Sequence, residues 1–115
     1  MRVRVANLLP YVVLKINAFQ DRHANKDAYD LVFCLRNYRD EVTETGRTLA
    51  ASPVARVHQV TEALVLLAER FAQPENDGPS AYAAFLGDDA DEDARAQLRL
   101  EAVAVVREFF RGFRA

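Results

Sequence analysis

The stretch Leu14–Asn37, LKINAFQDRHANKDAYDLVFCLRN, leaves this chain few folds to choose from. Apolar residues recur at helical spacing on both sides of a short polar turn, which predicts two helices packed as an antiparallel hairpin. Yet the first helix carries a single lysine, Lys15, in an apolar segment, and the second opens with Lys26, Asp27 and Asp30 among residues that belong in a core. Charges in such places need partners. Those partners either lie within the chain or belong to something it binds.

The rest of the sequence supports a helical reading. With 115 residues, half of them apolar, there is material for one core and not for two, so residues 1–115 are expected to form a single domain. Residues 1–50 carry 8 Lys and Arg against 6 Asp and Glu, a balance of +2, and residues 51–115 carry 7 against 11, a balance of −4. Neither sign dominates enough to predict a nucleic-acid or membrane surface, although an anionic ligand fits the N-terminal half better. The lone cysteine, Cys34, excludes an internal disulfide framework and reads as a small buried hydrophobe. No run of about eighteen apolar residues is present, and the start Met-Arg-Val-Arg-Val lacks a signal-peptide core, so a soluble cytoplasmic chain is expected.

Taken in order, Arg2–Val5 alternates with the period of a half-buried strand, and residues 1–6 are expected to form an extended arm or lone strand. A lone strand leaves its backbone groups unpaired, which hints at structure missing from the chain. Asn7 is the expected cap of a central helix whose Leu9, Val12, Val13, Leu14, Ile16, Ala18 and Phe19 leave almost no solvent face. After the turn Asp21–Asn25, Asn25 should cap a helix from Lys26 to about Tyr38, the second arm of an 8–38 hairpin. Gly46 interrupts the next segment, which suggests a loop with at most one short helix. Ser52-Pro53 is a strong start signal for a long helix from Pro53 to about Ala72, and Ser80 should cap a short one, Ala81–Leu86, stopped by Gly87. A last long helix, Asp91–Phe113, buries Leu98, Ala102, Val105, Phe109 and Phe113. The expected fold is all-α, with four main helices, one or two short ones, and two long helices flanking a short one across 53–113.

Each charged constellation has a structural and a functional meaning. Lys15 either snorkels past its apolar stem or presents an amine to a nucleotide phosphate, with Arg22 as a helper two turns along. Asp27 and Asp30 share a helical face, and Lys26 can pair with Asp30 across one turn. The two aspartates either brace the hairpin or position Lys15 and a metal-bound phosphate. The acidic run Asp88–Asp93 lacks the glycine and terminal glutamate of a calcium loop and reads as a helix start favoured by the macrodipole. His23 and His58 stand without a second ligand at metal spacing. No Gly-Lys-Ser/Thr loop, nucleophile elbow or Gly-x-Gly-x-x-Gly appears, and both serines, Ser52 and Ser80, are accounted for as caps.

The run from Val5 to Tyr38, above all Lys15, Asp21-Arg22 and Lys26-Asp27-Ala28-Tyr29-Asp30-Leu31, resembles the C-terminal part of the AbiEii-type nucleotidyltransferases, the toxin-like enzymes of abortive-infection and toxin–antitoxin systems. The resemblance implies that Lys15, Asp27 and Asp30 belong to an active site and that Lys15, Arg22 and Lys26 contact nucleotide. It covers about the first third of the chain. The family's catalytic sheet carries Gly-Ser and paired aspartates that hold magnesium, and no Gly-Ser occurs here. The expectation is therefore a helical domain that is catalytically incomplete alone and binds no cofactor by itself. Magnesium and a nucleoside triphosphate would enter only with a sheet supplied by a missing N-terminal domain, and the acceptor would be an RNA or protein hydroxyl. The alternative is a non-enzymatic interaction module that forms a homo-oligomer, with no membrane partner in either case.

Overall fold

Helix α1 spans Val5–Arg22 and places Leu8, Leu9, Val12, Ile16 and Phe19 on one buried stripe. The computed structural model describes residues 5–38, 41–87 and 91–114, with the side chains of residues 5–7 left aside. Contrary to the expected solvent-free helix, Leu14 is 64% exposed, because it sits two positions from both Val12 and Ile16 and so falls on the opposite face. The expected arm is also corrected at its end. Val5 and Ala6 are helical and Asn7 lies inside the first turn, not at the cap, while residues 1–4 fall outside the described residues. A helical start gives these backbone groups intrahelical partners that a lone strand lacks.

His23 ends α1. Its φ of 52° is the left-handed conformation found at many helix C-termini, and its N–H donates to the Phe19 carbonyl at 2.8 Å. Helix α2, Asn25–Asn37, follows, with Ala24 rather than Asn25 in the cap position and no side chain completing the cap. Its Ala28, Leu31, Val32, Cys34 and Leu35 are buried, and the helix packs against α1, α3, α5 and α6. It is the hub of the bundle.

Helix α3, Val42–Ala50, runs through Gly46 where the sequence suggests a break. The glycine serves a crossing. A Cβ on Gly46 would overlap the Phe109 carbonyl oxygen and lie 2.6 Å from the Phe113 nitrogen, and a Cβ on Gly112 would run into the Thr43 carbonyl. Two glycines from distant parts of the chain thus let two backbones meet, and the Thr43 hydroxyl donates to Glu108 at 2.8 Å beside them.

The long helix expected from Pro53 begins later, as α4, His58–Arg70. Residues 52–57 form successive tight turns in which Ala55 N–H reaches the Ser52 carbonyl and Val57 N–H the Val54 carbonyl, both at 3.1 Å. The Ser52 hydroxyl accepts from Val54 N–H at 3.4 Å, so the start signal caps a turn instead of a helix. Val54, Val57, Val60, Leu64, Leu67 and Phe71 recur at helical spacing as one apolar stripe, but Val54 and Val57 are exposed, whereas Val60, Leu64, Leu67 and Phe71 are buried. Periodicity alone did not reveal which end of the stripe found a partner.

Helix α5, Asp77–Leu86, starts four residues before the predicted Ala81, with Asn76 in the cap position and Ser80 already helical. Pro79 costs nothing there, since the first turn has no use for its missing N–H. Gly87 closes the helix as expected, its N–H donating to the Ala83 carbonyl at 2.7 Å. Helix α6, Glu92–Phe113, opens on Asp91, whose carboxylate accepts from the Ala94 N–H at 2.8 Å. It buries Ala102, Val105 and Phe109 and half-buries Leu98 and Phe113.

The described residues form an all-α bundle of six helices, four long and two short, with a radius of gyration of 13.3 Å. That value matches the roughly 13 Å of a compact single unit of about this length. No helix is long and apolar enough to cross a membrane. Replacement of Gly112 by alanine is expected to destabilise the fold by about 1–3 kcal/mol or more, as overpacking does, because the obstructing atoms are backbone. Denaturant unfolding that left this variant as stable as the parent would show that α3 and α6 do not cross here.

Candidate functional site

The end of α1 and the start of α2 bring five charged residues together. Asp27 is the third residue of α2, where the helix dipole favours a carboxylate, and its own N–H is taken by the Ala24 carbonyl at 3.0 Å. Its side chain is 1% exposed. Such burial is tolerable only with charged partners, and Asp27 has two. Arg22, in the last turn of α1, grips it in a fork, Nε to Oδ2 at 2.8 Å and Nη2 to Oδ1 at 2.9 Å. Lys15 Nζ lies 3.5 Å from Oδ1.

Asp30, one turn further along α2, is the closer partner of Lys15, at 2.8 Å through Oδ2. Lys26 reaches both of its oxygens, at 3.2 and 3.0 Å. Lys15 Nζ also stands 5.7 Å from the centre of the Tyr11 ring, one turn earlier on α1. All five residues singled out in the sequence therefore meet, three cations around two carboxylates. Lys15 is largely covered, while Lys26 and Arg22 face solvent, 67% and 64% exposed.

The electrostatics follow the geometry. The Arg22 hydrogen bonds hold the Asp27 carboxyl below its ordinary value, outweighing the opposing effect of burial. Lys15 is raised above its ordinary value, chiefly by the hydrogen bond to Asp30. Every oxygen of the two aspartates is engaged: both oxygens of Asp27 by Arg22, one of them also by Lys15, and both oxygens of Asp30 by Lys26. The pair does not fit a magnesium ion. Among the described residues no three His, Cys, Asp or Glu side chains converge where a metal could be held.

Cys34 lies on the buried side of α2, its thiol donating to the Leu31 carbonyl at 3.3 Å and its pKa pushed up to about 12 by burial. It is no nucleophile at neutral pH. Among the described residues His58 pairs with Glu62 on its own helix, at 2.9 Å on an exposed face. His23 is held over the start of α5, edge-on to Phe19 at 5.3 Å between ring centres, with Nδ1 3.7 Å from Asp77. Arg70 approaches the same carboxylate at 3.8 Å and donates to Gln20 at 2.9 Å. Asp77 and Arg70 carry no signal in the sequence, since their positions depend on how α4 and α5 dock. Tyr11 is legible in the sequence, because it lies one turn from Lys15 on the same helical face.

Compared with protein-family models, curated proteins and solved structures, the chain finds no match. The case for a function therefore rests on the hairpin itself.

The pH dependence of the cluster can be worked out from its signs. A depressed Asp27 stabilises the fold above its ordinary value near 3.8 and loses that contribution as pH falls through its lower folded value. A raised Lys15 contributes below 10.5 and is lost only as pH rises through its higher folded value. Asp27→Asn should therefore lower the melting temperature at pH 7, reflecting the loss of charge-assisted bonds that are together worth about 1.5–3 kcal/mol. The gap between variant and parent should narrow below pH 3.8. A gap that stays constant down to the acid transition would mean that ionisation of Asp27 does not stabilise the hairpin.

Proposed function

We propose that this chain is a nucleotidyltransferase-like helical domain of the toxin–antitoxin or abortive-infection type, working with a metal-binding sheet that its described residues do not supply. The supporting observation is the convergence of Lys15, Arg22, Lys26, Asp27 and Asp30 at the α1–α2 hairpin. Three cations on two carboxylates leave one positive charge uncompensated, and Lys26 and Arg22 carry theirs in solvent. A phosphate arriving at this edge takes Lys26 from Asp30 and gains a charge-assisted hydrogen bond at little cost in reorganisation. Lys15 follows it, since its 2.8 Å partner Asp30 is shared with Lys26. Asp27 is a positioning residue that stays with Arg22 and fixes the base of the hairpin. Magnesium and the triphosphate chemistry belong to the completed enzyme, and the acceptor is an RNA or protein hydroxyl.

A fluorescent nucleoside triphosphate should bind the pure chain weakly, and Lys15→Ala and Lys26→Ala should each weaken it several-fold, as expected for loss of one phosphate contact. No labelled nucleotide should be transferred to any acceptor, with or without magnesium. Absence of nucleotide binding, or robust incorporation lost on Lys15→Ala, would overturn this reading from opposite directions.

A non-enzymatic interaction module is favoured by a different observation. Lys15 and Asp30 satisfy each other, while Leu14, Phe85 and Leu86 stand in solvent at 64, 42 and 45% exposure. In this reading the cluster only braces the hairpin, and a second copy covers the apolar side chains. Sedimentation across a concentration series separates the two: a stable dimer that ignores nucleotide supports the module, and a monomer that binds nucleotide supports the first reading.

A further inference from the structure

Helix α4 packs on α1 and α5, and α6 packs on α3, α5 and α2, so the C-terminal halves of α4 and α6 leave a cleft of about 390 Å³ between them. Its floor is apolar, formed by Phe71, Val106 and Phe110. Its rim is basic. Arg107 and Arg111 on α6 and Arg114 at its C-cap recur at i, i+4 and i+7, which puts them in a row along one side of the cleft.

The row has little carboxylate of its own. Arg111 pairs with Glu108 at 2.7 Å, a carboxylate that also accepts from Thr43. Among the described residues Arg107 reaches the Ala72 carbonyl, at 3.4 Å, and Arg114 lies over the Phe110 ring at 4.4 Å. Among the described residues neither Arg107 nor Arg114 has an ion pair. Three exposed guanidinium groups beside an apolar floor form a surface with two complementary demands, carboxylates at the rim and a hydrocarbon side chain in the middle.

We propose that this cleft docks an acidic segment of a partner protein, one apolar side chain entering between α4 and α6 while flanking Asp and Glu residues pair with Arg107, Arg111 and Arg114. A nucleic acid answers the second demand poorly. Its phosphates would use the arginines and leave the apolar floor empty, whereas a segment carrying both acids and an apolar side chain meets both demands. The cleft lies apart from the α1–α2 cluster, so the inference does not depend on nucleotide binding there.

The test is fluorescence anisotropy with a labelled peptide Asp-Glu-Leu-Phe-Glu-Asp, a form with Ser-Ser for Leu-Phe, a form with Lys for each acid, and an oligouridylate. The acidic apolar peptide should bind saturably and the other three should not. Arg107→Gln with Arg111→Gln should weaken it about tenfold, the equivalent of about 1.4 kcal/mol. Both arginines are exposed, and an unchanged helical circular dichroism signal would show that the variant is folded. Ala68 also lines the cleft, and Ala68→Lys, which places a charge beside the apolar floor, should weaken binding without touching the rim. Absence of saturable binding, binding indifferent to all these changes, or tighter binding of the oligouridylate would overturn the proposal.

Discussion

A carboxylate taken out of water costs several kcal/mol unless charged partners replace its hydration. Asp27 is in that position, and its partners come from the preceding helix. The Arg22 fork ties the last turn of α1 to the first turn of α2, and Lys15 adds a second tie further back along α1. Through these ties the direction of α2 is set within two residues of the end of α1, and α2 then supplies the wall on which α5 and α6 pack. An apolar residue at position 27 could fill the space but could not hold Arg22 in place.

The sequence was most informative where partners are local. The hairpin, the capped start of α6 and the i,i+4 pair Lys26–Asp30 all depend on residues within a turn or two of each other, and all appear as the spacing predicts. The predictions failed where the deciding partner lies far along the chain. Gly46 looks like a helix breaker until Gly112 arrives from the other end of the sequence. The stripe beginning at Val54 looks like a helix start, but Val54 and Val57 stand partly in solvent, and the part of the stripe that is wound into α4 is the part that packs on α1 and α5. The candidate site was legible as a set of residues. Its closure was not, because spacing cannot say whether Lys15 will find Asp30 or solvent.

That closure divides the charged residues by availability. Asp27 is committed to its partners, Lys15 is shared, and Lys26 and Arg22 remain open to solvent while paired. Exposed ion pairs are screened by salt and buried ones much less, so the Lys26 edge responds to ionic strength in a way the buried Asp27 end does not. Cys34 lies on the same helix with its thiol held protonated in the core.

The crossing of Gly46 and Gly112 also works as a mechanical index for α6. Only one axial and rotational setting of that helix brings a residue without a Cβ opposite Thr43 and Gly46. A slip of a single residue would turn the helix by about 100° and swing the arginine row out of the cleft. The contact that looks purely architectural therefore aims a charged surface on the other side of the same helix, and any insertion or deletion between Arg107 and Gly112 would be felt there first.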